Sequence, residues 1–250
     1  MTVVEFRLLG AMQLRVDAVP VALPGAAERG LLALLLLSPG RTVAATSLID
    51  RLWSESALPT DPLNALQLRV SKLRRALSRH GVDVIGRDAS GYRADVDPES
   101  GDVHRFGALV RAARAAARSN DRLVALERYE QALALWGGDP LADFAGQGWA
   151  TVEAARLEQM HQAALSEHAS AALSAGRHIE VAADLEPVVA RDPSQEALAG
   201  LLMTALYRAG RQADALEVFA RTRAHLDDEL GLQPSAALRK LHQRILEQDE

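Results

Sequence analysis

Between Asp61 and Asp83 the chain carries Arg69, Lys72, Arg74, Arg75 and Arg79 with no acidic residue among them. Fixed cations of this kind bind phosphate, and arginine and lysine also donate to the acceptor edges of bases in a DNA groove. Their spacing gives the run a shape. Leu66, Val70, Leu73 and Leu77 recur at i, i+4, i+7 and i+11, so a helix from Asn64 to Leu77 presents them as one apolar stripe. At 100° per residue, Lys72, Arg75 and Arg79 project from the opposite side, with Arg69 and Arg74 on the two flanks. A helix anchored on one side and cationic on the other is shaped to enter a major groove while staying part of a folded domain. The pattern alone also fits a solvated amphipathic helix, so the neighbouring elements have to decide.

The first 24 residues read as short strands, VEFRLLG, MQLRV and PVAL, separated by Gly10 and by the turn from Asp17 to Pro20. Ala26 to Leu37 has helical composition and stops at Ser38-Pro39-Gly40. An extended piece, Arg41 to Ala44, leads to Thr46 as the expected N-cap of a helix from Ser47 to Trp53, with Leu48, Ile49 and Leu52 inward. A turn-rich stretch from Ser54 to Pro62 precedes the basic helix, for which Asp61 is the expected N-cap and Pro62 the first helical residue. That helix ends near Gly81. Val82 to Ile85 and Tyr92 to Val96 then form a hairpin with Arg87, Asp88, Ser90 and Gly91 around its tip. Strands, three helices and a closing hairpin describe a winged helix-turn-helix. The basic helix becomes its recognition helix, and Arg87 and Arg93 sit on the wing within reach of a flanking phosphate or minor groove.

Composition narrows the function classes. The 250 residues have a net charge of −5, but residues 1–95 balance at +3 and residues 96–250 at −8. Cation-rich and acid-rich halves suit different partners. There is no cysteine, which excludes disulfides, thiolate metal sites and a cysteine nucleophile. The longest apolar run is Leu31 to Leu37, far below the ~20 residues that span a bilayer, and the N-terminus lacks the basic region of an export signal. A cytoplasmic, nucleoid-associated protein with no membrane partner is expected. The sequence contains no GxGxxG, GxxxxGK[ST], HExxH or GxSxG, and its seven histidines are dispersed. No enzyme activity, no cofactor and no metal are expected. Glu158 with His161, and Glu167 with His168, read as packing or solvated pairs, and Trp53, Trp136 and Trp149 as core or junction residues.

The second half is helical and repetitive. Ala175-Gly176-Arg177 and Ala209-Gly210-Arg211 lie 34 residues apart, the period of a tetratricopeptide repeat. Val181, Ala182 and Leu185 map onto Ala215, Leu216 and Phe219 in that register, and an earlier unit places Asn120 at the glycine position with Ala125, Leu126 and Tyr129 following. Three helical hairpins are expected, with small residues at Ala125, Ala182 and Ala215 where helices approach and larger ones at Tyr129, Leu185 and Phe219 between hairpins. The fold class is therefore mainly α: an α+β winged-helix domain over residues 1–96, then an all-α tetratricopeptide-like repeat domain over 97–250. Such repeats bind peptides or proteins, or serve as a dimerisation module.

The leading sheet and the GYR that closes the wing make the first domain similar to the OmpR-type winged helix. ERGLLALLLLSPGRTV at 28–43, LIDRLW at 48–53, NALQLRVSKLRRAL at 64–77, GYRADVDPESGDVHRF at 91–106, ALALWGGDPLAD at 132–143 and the long segment from Leu206 to Leu246 occur in an order and spacing that resemble the Streptomyces antibiotic regulatory protein family. Its second part is called the bacterial transcriptional activation domain, and the resemblance covers essentially the whole chain.

The resemblance implies a sequence-specific activator of an antibiotic biosynthetic cluster, binding direct repeats of double-stranded DNA as two side-by-side protomers. It also implies contact with RNA polymerase holoenzyme, including the sigma-factor region that reads the −35 element. Matched residue by residue, it places base-edge or groove contacts on Gln67, Arg69, Lys72 and Arg75, phosphate contacts on Arg74 and Arg79, and a wing contact on Arg93. Larger relatives append a nucleotide-binding domain after the repeats, so the chain reads as a small pathway-specific member or a fragment of a larger regulator. Two other readings keep the architecture: a repressor, since occupancy at another distance from a promoter blocks polymerase, and an adaptor whose winged helix contacts protein.

Overall fold

The computed structural model describes residues 3–54 and 57–248. They form two compact units, one of residues up to 114 together with 130–161, the other of 115–129 together with 162–248. Glu55 and Ser56, in the expected turn before the basic helix, lie outside the described residues.

The first unit opens with an antiparallel sheet of β1 (Val4–Arg7), β2 (Gln13–Val16) and β3 (Val19–Val21), in that order. Phe6 pairs with Leu14, and both point into the core. The β2–β3 turn uses Asp17 and Ala18, both with positive φ, the two-residue hairpin geometry whose twist matches that of the strands. Helix α1 (Ala26–Leu36) buries a continuous run from Leu31 to Leu36. After β4 (Val43–Ala44) come α2 (Ala45–Leu52), α3 (Pro62–Ser78), β5 (Ile85–Arg87) and β6 (Gly91–Ala94), the strands ordered β4-β6-β5. This is the expected winged helix. Gly91 permits the β4–β6 pairing, because a Cβ there would lie 2.0 Å from the Val43 carbonyl oxygen.

Two local expectations are corrected. Thr46 is exposed and does not cap α2. The helix starts two residues earlier than expected, at Ala45, whose amide donates to the Ser90 carbonyl of the wing tip at 3.0 Å. A distant backbone group thus takes the place of the side-chain cap. The wing strand begins at Ile85 rather than Val82, because the Gly81 and Val82 amides turn back onto the Ser78 and Leu77 carbonyls of α3 with Gly81 left-handed. That is a Schellman closure, and it removes Val82 from the hairpin.

A single turn of 3-10 helix, Pro98–Ser100, precedes α4 (Asp102–Arg118). Asp102 is a buried carboxylate whose oxygens accept from the amides of Leu8 at 2.8 and 2.9 Å, Leu9 at 2.9 Å and Val103 at 2.8 Å. Burial pushes its carboxyl above the ordinary value, opposed by those three donors. The loop after α5 (Arg122–Leu133) follows the same edge, with the amides of Gly137 and Leu141 donating to the Leu9 and Leu8 carbonyls at 2.7 and 2.9 Å. The compact unit therefore holds residues 8–12 against 101–103 and 137–144. Trp136 stacks on His161 at 4.0 Å between ring centres and meets the edge of Phe106, and Trp149 is buried beside Phe144.

The second unit contains the closing turns of three helical hairpins. α4 turns into α5, α6 (Gly148–Ser174) into α7 (His178–Arg191), and α8 (Glu196–Arg208) into α9 (Gln212–Leu230). Asn120, Gly176 and Gly210 all adopt left-handed backbone, with φ of 58°, 82° and 78°. In each turn the following residue donates back five positions: Asp121 to Ala116, Arg177 to Ala172 and Arg211 to Leu206. The closure that recurs after 34 residues at Gly176 and Gly210 is thus made a third time at Asn120, asparagine replacing glycine because its side chain tolerates that conformation. Ala125, Ala182 and Ala215 are buried, as are Tyr129, Leu185 and Phe219. Tyr129 donates its hydroxyl to Glu167 at 2.9 Å. Helix α10 (Ala236–Glu247), N-capped by the Ser235 hydroxyl, lays Leu238 and Ile245 against α8 and α9, with His242 stacked on Phe219. No helix among the described residues is long and apolar enough to cross a membrane.

Candidate nucleic-acid interface

The site begins with what starts α3. The Asp61 carboxylate accepts from the Asn64 amide at 3.0 Å, and Pro62 occupies the first turn, where its missing N–H is not needed. Leu66, Val70, Leu73 and Leu77 are at most 2% exposed, which fixes the rotation of the helix about its axis. Fixing the rotation fixes the opposite face. Leu68, Lys72, Arg75 and Arg79, spaced i, i+4, i+7 and i+11, form an exposed stripe there. Leu68 was not singled out from the sequence. It is a large apolar side chain, 63% exposed at the start of the stripe, and its only signal was that it falls outside the apolar stripe.

The expected contact residues are not equivalent in the structure. Among the described residues, Arg75 and Arg79 have no ion-pair partner and point outward. Lys72 also reaches outward, with 63% of its side chain exposed, but its ammonium lies 2.8 Å from Glu28 Oε1. Gln67 is half-buried on the flank shared with Arg74. Arg69 occupies the other flank, its guanidinium 3.8 Å from the ring centre of Trp53, the residue that ends α2. Burial lowers the Arg69 pKa from its ordinary value, and the charge of Glu28 opposes that shift. Trp53 is therefore both a core residue and a platform for a cation. Arg74 turns inward. Its Nη2 and Nε donate to the Ile85 carbonyl at 2.7 and 3.2 Å, tying α3 to β5.

On the wing, Arg87 is exposed with its guanidinium 5.9 Å from the Tyr92 ring centre. Arg93 is paired with Asp95, which raises the arginine pKa further. The tip is organised by Asp88, whose carboxylate accepts from the Ser90 amide and hydroxyl, the Gly91 amide and the Thr42 hydroxyl. These donors, Thr42 foremost, hold its carboxyl down at about 2. The turn is thereby fixed with a permanent negative charge beside Arg87. The arrangement sorts the cations into Arg75, Arg79, Lys72 and Arg87 directed to solvent, Arg69 stacked, and Arg74 and Arg93 engaged with the protein itself.

Three comparisons with known proteins bear on this geometry. Residues 101–246 match the bacterial transcriptional activator domain, and residues 21–94 match the family described as transcriptional regulatory protein, C terminal. The chain is 36% identical to the transcriptional regulator RedD of Streptomyces coelicolor, over 98% of this chain and 71% of RedD. It is 33% identical to the regulatory protein DnrI of Streptomyces peucetius, over 98% of this chain and 93% of DnrI. Against the regulatory protein AfsR of Streptomyces coelicolor it is 37% identical but spans 24% of that protein. Among solved structures, Mycobacterium tuberculosis EmbR in complex with a low affinity phosphopeptide superposes with a TM-score of 0.91 at 32% identity, covering 100% of this chain and 66% of that one. With an OmpR-type winged helix followed by a bacterial transcriptional activator domain, and RedD and DnrI matched over 71% and 93% of their own lengths, the chain belongs to the Streptomyces antibiotic regulatory protein family of transcriptional regulators.

Proposed function

We propose that this regulator is a sequence-specific DNA-binding activator of a secondary-metabolite biosynthetic cluster, acting in the cytoplasm on the nucleoid. Residues 1–96 bind DNA, and residues 97–250 carry the contact that recruits RNA polymerase holoenzyme, sigma factor included. The observation that carries the reading is the exposed stripe Leu68, Lys72, Arg75 and Arg79 on a helix whose rotation is locked by four buried apolar side chains. α3 lies in the major groove, where Lys72, Arg75, Arg69 and Gln67 meet base edges and Leu68 meets a thymine methyl group. Arg79 and the wing's Arg87 contact phosphate. Arg74 and Arg93 contribute by holding helix and wing in shape. Two protomers bind side by side on direct repeats, a head-to-tail arrangement that does not need a palindromic operator.

The test is binding to the promoter DNA of the chain's own genomic neighbourhood across a salt series. With Arg79 and Arg87 of each of two protomers on phosphate, four contacts in all, log affinity falls against log salt with a slope of about −4. Footprinting is expected to give two equal protected segments about one helical turn apart on one face. A flat salt response refutes the DNA-binding reading, and a single isolated footprint refutes the direct-repeat mode.

A further inference from the structure

Glu28 is a buried acid to which the sequence assigns no role. It lies in the first turn of α1 and is 5% exposed. Gly25 precedes the helix, so Glu28 occupies the third helical position, where a glutamate ordinarily reaches back to the amide of its own N-cap. Here the helix start has no side-chain cap, and Glu28 Oε1 instead meets Lys72 Nζ at 2.8 Å. The carboxylate also acts electrostatically on Arg69, which is held over Trp53. One acid from α1 thus addresses two cations of the recognition helix, on the side of α3 between its exposed stripe and its buried one.

We propose that Glu28 is a positioning residue for sequence readout: it aims Lys72, with Arg69 beside it, at the base edges. This rests on the DNA-binding reading above. A lysine ammonium sits on a flexible four-carbon stem and carries three donors. Glu28 takes one of them and leaves two for DNA acceptors, while the stem loses its freedom before binding rather than during it. Burial makes the anchor rigid, and the N-terminal end of α1 favours the negative charge of the acid. The same acid cancels one positive charge toward DNA of any sequence. Glu28 therefore lowers indiscriminate affinity and raises discrimination, two effects that a purely structural acid would not separate.

The experiment uses the full chain and two probes: a duplex recovered by the wild-type protein from a randomised pool, and a random-sequence duplex of the same length. Thermal unfolding is followed on every variant. Glu28→Gln is expected to bind the random duplex as tightly as wild type or tighter, with the salt slope steeper by about 0.9 as Lys72 is freed for phosphate. Its preference for the selected duplex is expected to fall about 3- to 10-fold, the range set by ordering one long side chain. In a Lys72→Ala background the same substitution is expected to lose clearly less preference, only the share that acts through Arg69. If Glu28→Gln does not fold, Glu28→Asp keeps the charge, shortens the reach, and is expected to lose preference with the random-duplex slope unaltered. An unchanged preference in a folded Glu28 variant overturns the proposal, as does an equal loss with and without Lys72. If the wild-type chain enriches no sequence from the pool, the DNA-reading assignment itself fails, a result separate from any of these.

Discussion

Arg74 and Arg75 are adjacent on α3 and carry the same group, yet the structure gives them opposite tasks. Replacing each with methionine keeps most of the apolar stem and removes the guanidinium. For Arg74 that deletes two hydrogen bonds from a charged donor to the Ile85 carbonyl, at 2.7 and 3.2 Å. Hydrogen bonds to charged groups contribute about 1.5–3 kcal/mol, and because Arg74 is half-exposed the lower end applies, about 1.5 kcal/mol. In a cooperative unit of this size that is a fall of about 3–6 °C in Tm. Arg75→Met removes an outward group with no ion pair among the described residues, so stability should stay within about 0.5 kcal/mol. Operator affinity should instead fall by about 1–3 kcal/mol. Scanning calorimetry and fluorescence-anisotropy titration on both variants provide the comparison. The crossed pattern is the content of the prediction. If Arg74→Met leaves Tm unchanged and lowers operator affinity with a shallower salt slope, the guanidinium serves phosphate, and its role as a wing latch is wrong.

Three further outcomes follow from named contacts. Asp102→Asn presents an amide donor to at least one of the Leu8, Leu9 and Val103 amides, and leaving such a buried donor unpaired costs about 1–3 kcal/mol, measurable by urea unfolding. Gly91→Ala puts a Cβ 2.0 Å from the Val43 oxygen, which should separate β4 from β6, cost about 3 kcal/mol in urea unfolding and weaken DNA binding. The Asp88 carboxyl should titrate by NMR near 2, and Thr42→Val should move it up toward 3.8. Because its folded value is depressed, the stabilisation that Asp88 provides is complete above the ordinary carboxylate range and is lost as the pH falls from about 4 toward 2. A midpoint unaffected by Thr42→Val would mean the hydroxyl is not its main donor.

Features governed by near neighbours in the chain were legible from residue types. Asp61, Pro62 and the 3.6-residue recurrence of Leu66, Val70, Leu73 and Leu77 suffice to start α3 and orient it, since capping and amphipathic burial act within a few turns. The glycine positions of the repeats, with Asn120 standing in once, were equally readable, because a left-handed helix closure has few solutions. Thr46 shows where such reasoning stops. A hydroxyl residue in the right place is a good cap only if nothing better reaches the helix start, and the Ser90 carbonyl, 45 positions away, reaches it first.

The amino-acid sequence by itself determined that this chain joins a cationic winged helix to acidic helical repeats, and which face of α3 is cationic. Tertiary structure decided what each cation is free to do. Arg74 is committed to the Ile85 carbonyl, Arg93 to Asp95, Arg69 to the Trp53 ring, and Lys72 is shared with a glutamate from α1. Periodicity assigns a side chain to a side of its own helix. Whether a carbonyl, an acid or an aromatic ring lies within 3 or 4 Å of its tip depends on elements brought together from elsewhere in the chain, and no local pattern encodes that distance.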